Sequence, residues 1–144
     1  MKKLYIVLII VIAVIAIGAS YLLKMYNKVT PDTKDLKADI TVDVNKMTSD
    51  FKADTGKARK MYDNKIVLLT GTIDKIEKDQ SGHANVFFVA NGINVQCTMD
   101  TAKSASEGIA EKMAVKLKTQ YSGYEPADID PMPIIKFKKC VTEK

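Results

Sequence analysis

The order of polar and apolar positions divides the chain into an apolar start and a longer, patterned remainder. Residues 4–23 form an almost unbroken apolar run, LYIVLIIVIAVIAIGASYLL, behind Lys2 and Lys3. Twenty residues at about 1.5 Å rise each make a helix of about 30 Å, which matches the hydrocarbon thickness of a bilayer. Its many β-branched residues, among them Ile6, Val7, Ile9, Ile10 and Val11, would weaken a helix in water. In lipid the backbone must satisfy its own hydrogen bonds, so helix is the expected state of a single span. Tyr5, Tyr21 and Lys24 suit the two headgroup interfaces.

From residue 47 the period changes. Met47, Phe51, Thr55, Ala58 and Tyr62 recur at spacings of four, four, three and four, which predicts one helix over 47–62, starting near Asn45 and ending at Asp63-Asn64. Residues 65–77 predict a long strand with Val67, Leu69, Gly71 and Ile73 on one side, and Gly71 predicts a bulge or bend within it. Residues 78–83 read as a turn and 85–90 as a second strand. Asn91-Gly92 is a strong hairpin signal, because both residues tolerate positive φ, and 93–98 returns as a third strand. A short helix is expected over 101–112, from Ala102, Ala105, Ile109 and Ala110. Residues 113–121 then alternate as a fourth strand, 122–133 connect, and 134–141 form a fifth.

This order predicts a mainly β fold: a five-stranded Greek-key barrel of the oligonucleotide/oligosaccharide-binding (OB) type, with an N-terminal helix and a short helix between strands three and four. Closure would remove the exposed edges of so small a sheet. The organisation expected is a membrane anchor over 1–28, a polar linker over 29–40 and the barrel over 41–144. Two readings of the first segment stay open. One is a retained anchor, with the bilayer as partner through residues 4–23. The other is a signal peptide cleaved after the small residues Ala16, Gly18, Ala19 and Ser20, which would release a soluble exported form. The short basic start favours export of the domain to the extracytoplasmic side, whereas the lysine count on the two flanks does not select an orientation.

Charge changes the picture once the anchor is set apart. The chain carries +5, but Lys2, Lys3, Lys24 and Lys28 supply four of these charges, leaving 18 basic and 17 acidic residues from Val29 onward. A domain that tracks a phosphate backbone carries a concentrated basic excess, and this one has a single arginine, Arg59. Nucleic acid is therefore not expected as a partner.

Several segments resemble a known family. They are the helix ending in Ala58 and Tyr62, Asn64-Lys65-Ile66-Val67, Thr70-Gly71-Thr72-Ile73, Val95-Gln96-Cys97 and Lys139-Cys140-Val141. Together they resemble the tRNA-anticodon-like OB-fold domains of small bacterial membrane or exported proteins, over residues 41–142. The resemblance implies the fold; OB-folds host many ligands, so it implies no single function.

Candidate chemistry is sparse. Cys97 and Cys140 fall on strands that neighbour each other in such a barrel, so they are expected either as a disulfide or as buried free thiols. His83, the sole histidine, sits in a turn without recognisable partners, and no metal-ligand spacing occurs, so neither cofactor nor metal is expected. Because Phe87 and Phe88 are adjacent, a regular strand can bury only one of them. The other is a candidate ligand platform beside Asn94 and Gln96, with Lys116, Lys118, Tyr121 and Tyr124 nearby, unless it lies under the 47–62 helix. The function expected is a non-enzymatic, membrane-tethered binding module with a protein or glycan ligand. The second reading is a single-stranded nucleic-acid-binding OB domain.

Overall fold

The structure is a computed structural model that describes residues 2–26, 33–100, 108–128 and 131–143. It divides into two units, residues 1–31 and residues 32–144.

The first unit is the helix α1 (Lys2–Tyr26). Its segment Tyr5–Leu22 has a mean hydropathy of 2.7 and none of it is buried. It is the one helix, among the described residues, long and apolar enough to cross a bilayer, and a signal sequence has the same length and composition. Ser20 removes its polar group from the apolar surface by donating its hydroxyl to the Ala16 carbonyl at 2.8 Å.

The second unit runs β1 (Ile40–Asp43), α2 (Val44–Ala53), α3 (Thr55–Tyr62), β2 (Ile66–Thr72), β3 (Lys75–Lys78), β4 (Ala84–Ala90), β5 (Ile93–Met99), β6 (Ala114–Glu125) and β7 (Ile134–Thr142). The expected helical face is correct, since Met47, Phe51, Ala58 and Tyr62 are all buried. It is carried by two helices because Asp54 breaks the run. Asp54 is extended, ends α2, and starts α3 by accepting from the Lys57 N–H at 3.0 Å. Asp43 likewise caps α2 through the Asn45 N–H.

The expected five-stranded closed barrel is corrected: seven strands form one mixed sheet in the order β1-β2-β6-β7-β5-β4-β3, and its ladder does not close. The long strand expected over 65–77 is two strands, and the break falls at Ile73-Asp74 rather than at Gly71. Ile73 gives its N–H to Met113, while the next residue, Asp74, gives its own to Phe87. Consecutive peptides thus serve different strands, so one ladder ends where another begins. The outer strands are β1 and β3. β1 pairs in parallel with β2, and the Glu111 side chain accepts the Ile76 N–H of β3. Gly71 has a different task from a bend, because a Cβ there would lie 2.6 Å from Val44 Cγ2 and 3.3 Å from Phe88. Its missing side chain lets α2 approach the sheet.

The hairpin turn forms as expected, with Asn91 and Gly92 both at positive φ. Asn91 also donates to Thr48 and Ser49 on α2, tying the turn to the helix. Of the helix expected over 101–112, residues 101–107 lie outside the described residues and 108–112 are turns and irregular chain, not helix. Residues 27–28 of the expected anchor and 29–32 of the expected linker also lie outside them. β6 runs four residues beyond its expected end, to Glu125, by way of a register shift between Tyr121 and Gly123.

Candidate functional site

Alternation along β4 resolves the phenylalanine pair. Val86 and Phe88 are buried in the core, while Asn85 and Phe87 are half-buried and Val89 is exposed on the other side. Val44 of α2 and Phe88 both crowd Gly71, so the helices cover Phe88's side of the strand and leave Phe87 uncovered by them.

Register then sets the neighbours of Phe87. Lys75 on β3 lies across from it on one flank and Gln96 on β5 on the other, and Gln96 in turn faces Lys136 on β7. The next row holds Glu77, Asn85 and Thr98. Asn85 Oδ1 accepts from Thr98 Oγ1 at 2.7 Å and from Gln96 Nε2 at 3.4 Å, which fixes both amides and turns the Asn85 amino group and the Gln96 carbonyl away from each other. Asn94 lies one row further, beside Val89 and Ile134, and its Oδ1 is buried without a hydrogen-bond partner. Lys75 pairs with Glu77, Lys136 pairs with Glu125 at 2.5 Å, and Lys138 is exposed. The face is therefore one aromatic ring framed by amides, a hydroxyl and lysines.

The remaining candidates do not join it. Lys118 is largely buried, bonds the Lys34 carbonyl and pairs with Glu143 at 3.2 Å, so its charge is already used. Lys116 lines a separate groove of about 700 Å³ with Thr70, Ile109, Met113 and Val115. Tyr121 and Tyr124 would point to opposite sides of a regular strand. The register shift between them puts both on the helix side, opposite Phe137 and Ile135, where Phe51 packs on each. Burial raises the pKa of the Tyr121 hydroxyl above its ordinary value.

Cys97 and Cys140 are free and fully buried. Cys140 lies opposite Met99 rather than opposite Cys97. Burial, and then the neighbouring Cys97 thiol, push the Cys140 thiol well up. His83 sits 3.3 Å from Asp79, whose carboxylate accepts the Ser81 and His83 backbone N–H groups and closes the turn. No group of three or more potential metal ligands occurs among the described residues. Sequence reasoning did not single out Asn85, Thr98, Lys75 or Lys136; period-two alternation combined with the strand pairing would have placed them beside Phe87.

A family model described as tRNA_anti-like matches residues 1–135, so the apolar helix lies inside the match. Among solved structures, a protein described as an aspartyl-tRNA synthetase from Leishmania major Friedlin matches with 14% identity and a TM-score of 0.44. The match covers 71% of this chain and 20% of that one, so the chain spans about a fifth of that protein's length. None of the curated proteins matches.

The family match corrects the expectation that nucleic acid is not a partner. That expectation averaged charge over the whole domain. Single-strand binding draws on stacking and local polar contacts as well as on phosphate neutralisation, and a domain-wide average does not measure these.

Proposed function

The chain belongs to the tRNA_anti-like family, and from that membership we propose that its folded unit is a non-catalytic module that binds single-stranded nucleic acid. The observation that carries this reading is the half-exposed Phe87 at the centre of the outward face, with Gln96 directly across from it. A base stacked on Phe87 has its polar edge within reach of the Gln96 carbonyl and the Asn85 amino group, both already oriented by the Thr98-Asn85-Gln96 bonds. Lys138 is exposed on the flank where phosphates would pass, and Lys75 and Lys136 join it by exchanging Glu77 and Glu125 for phosphate. Stacking contributes about 1–3 kcal/mol per base and tolerates any base, which suits a face with a single aromatic. The apolar helix holds the module at a membrane, with the domain in the compartment that contains its ligand.

Fluorescence anisotropy of the full-length chain in neutral detergent, titrated into labelled single-stranded RNA and DNA, tests the reading. Saturable binding is expected, with a log–log salt slope of about −2, the value for about three neutralised phosphates on a single strand. Absence of saturable binding to either strand at low salt would reject it. Protease protection in sealed vesicles reports the side of the domain and the retention of the helix.

A further inference from the structure

A second concavity lies away from the outward face. Its volume is about 380 Å³, and its walls are Arg59, Lys60 and Asp63, at the end of α3, with Tyr121, Gly123 and Tyr124 of β6. That is enough space for a small ligand.

Arg59, the only arginine of the chain, is held there. Its Nη2 donates to the Tyr124 carbonyl at 3.0 Å, and its guanidinium carbon lies 5.4 Å from the Tyr124 ring centre. Among the described residues neither Arg59 nor Lys60 has a carboxylate within ion-pair distance. A guanidinium carries about five N–H donors, so most of the fork stays available after this bond. The carbonyl bond and the ring contact orient the exposed guanidinium, which lowers the ordering cost of binding.

The remaining walls narrow the ligand. Gly123 leaves the floor open, since a Cβ there would meet nothing within 4 Å. Phe51 stacks on Tyr124 at 5.5 Å, leaving Arg59 the other face of that ring, so the tyrosine offers no platform for a base. The pocket recognises charge and oxygen. A phosphate monoester carries about −1.5 to −2 at neutral pH, more than a mid-strand diester, and suits two unneutralised cations.

We infer that this pocket binds a phosphate monoester, with Arg59 as a bidentate donor, Lys60 as the second charge and Asp63 accepting from a neighbouring sugar hydroxyl. The monoester comes from the end of a nucleic-acid strand or from a free sugar phosphate. The inference does not depend on the Phe87 face.

Calorimetry of the full-length chain in neutral detergent with inorganic phosphate, glucose 6-phosphate and glucose tests it, together with anisotropy of one short RNA bearing a 5′-phosphate or a 5′-hydroxyl. The two phosphates are expected to bind and glucose is not. Arg59→Lys and Lys60→Gln should each weaken glucose 6-phosphate about tenfold, the equivalent of one charge-assisted hydrogen bond. Lys57→Gln, outside the pocket, should leave it unchanged. An unaltered thermal midpoint for Lys60→Gln separates a lost contact from a lost fold. RNA that binds about tenfold tighter with its 5′-phosphate identifies the strand end as the source; equal RNA affinities with glucose 6-phosphate bound identify the free monoester. Failure of both phosphates to bind, with equal RNA affinities, overturns the inference, as does phosphate binding that both variants leave intact. Loss of all RNA binding with glucose 6-phosphate retained rejects the nucleic-acid reading alone.

Discussion

The two sides of the sheet use aromatic residues in opposite ways. On the helix side, Phe51 stacks on Tyr62 at 5.9 Å and on Tyr124 at 5.5 Å and packs against Tyr121, while Tyr62 donates to Asp50 at 3.0 Å. These rings hold α2 and α3 to the sheet. On the outward side Phe87 has no such cluster among the described residues; amides, a hydroxyl and the Lys75–Glu77 and Lys136–Glu125 pairs surround it. Phe87 and Phe88 are adjacent in the chain, so the pleat alone separates a residue of the core from a residue of the surface. An aromatic ring states its role only through its neighbours.

Exchanging the two phenylalanines for alanine breaks this contrast most sharply. Phe88→Ala should cost about 3–5 kcal/mol of stability in a denaturant titration, because it opens a cavity in the core. Phe87→Ala should cost less than about 1 kcal/mol of stability and lower single-strand affinity by about 1–3 kcal/mol. Equal stability losses would mean that Phe87 is also a packing residue.

Next in size is Gly71→Ala, whose new Cβ would press on Val44 Cγ2. A loss of about 1–3 kcal/mol is expected, as for overpacking, and Val44→Ala in the same chain should recover part of it. A neutral Gly71→Ala would show that α2 does not need the close approach.

A smaller effect concerns the hydrogen bond between the helices. Burial, and then the Asp50 bond, hold the Tyr62 pKa above its ordinary value. A raised folded-state pKa gives stability that is complete below the unfolded pKa of about 10 and is lost as pH rises through the folded value. Thermal melts between pH 8 and about 11 should therefore show an alkaline decline that Tyr62→Phe flattens, and at neutral pH the variant should lose about 1 kcal/mol. An unchanged decline would assign it to other groups. The smallest effect is expected at the thiols, where Cys97 and Cys140 should alkylate slowly in the folded chain and completely after unfolding, without reductant; incomplete labelling would indicate a disulfide.

Much of this contrast was legible in the sequence. The spacing of Met47, Phe51, Ala58 and Tyr62 gave the helix face, and alternation separated Phe87 from Phe88 without saying which faced outward. Asn91-Gly92 gave the turn. What escaped depended on partners distant in the chain. The four residues Ile40–Asp43 are too short to announce a strand and exist as one by pairing with β2. The break at Ile73-Asp74 follows from hydrogen bonds to Met113 and Phe87, neither of which local pattern supplies. Tyr121 and Tyr124 left the expected ligand face because a register shift, not alternation, sets their direction. Domain-averaged charge hid the local character of the outward face.

Ultraviolet cross-linking of the full-length chain to single-stranded RNA, followed by trypsin and mass spectrometry, tests the outward face as the binding surface most directly. The expected result is an RNA adduct on the tryptic peptide spanning residues 79–103, which carries Phe87 and Gln96, lost in Phe87→Ala. Adducts confined to the peptides of α2, α3 or the Tyr121–Tyr124 stretch, and unchanged in that variant, would contradict it.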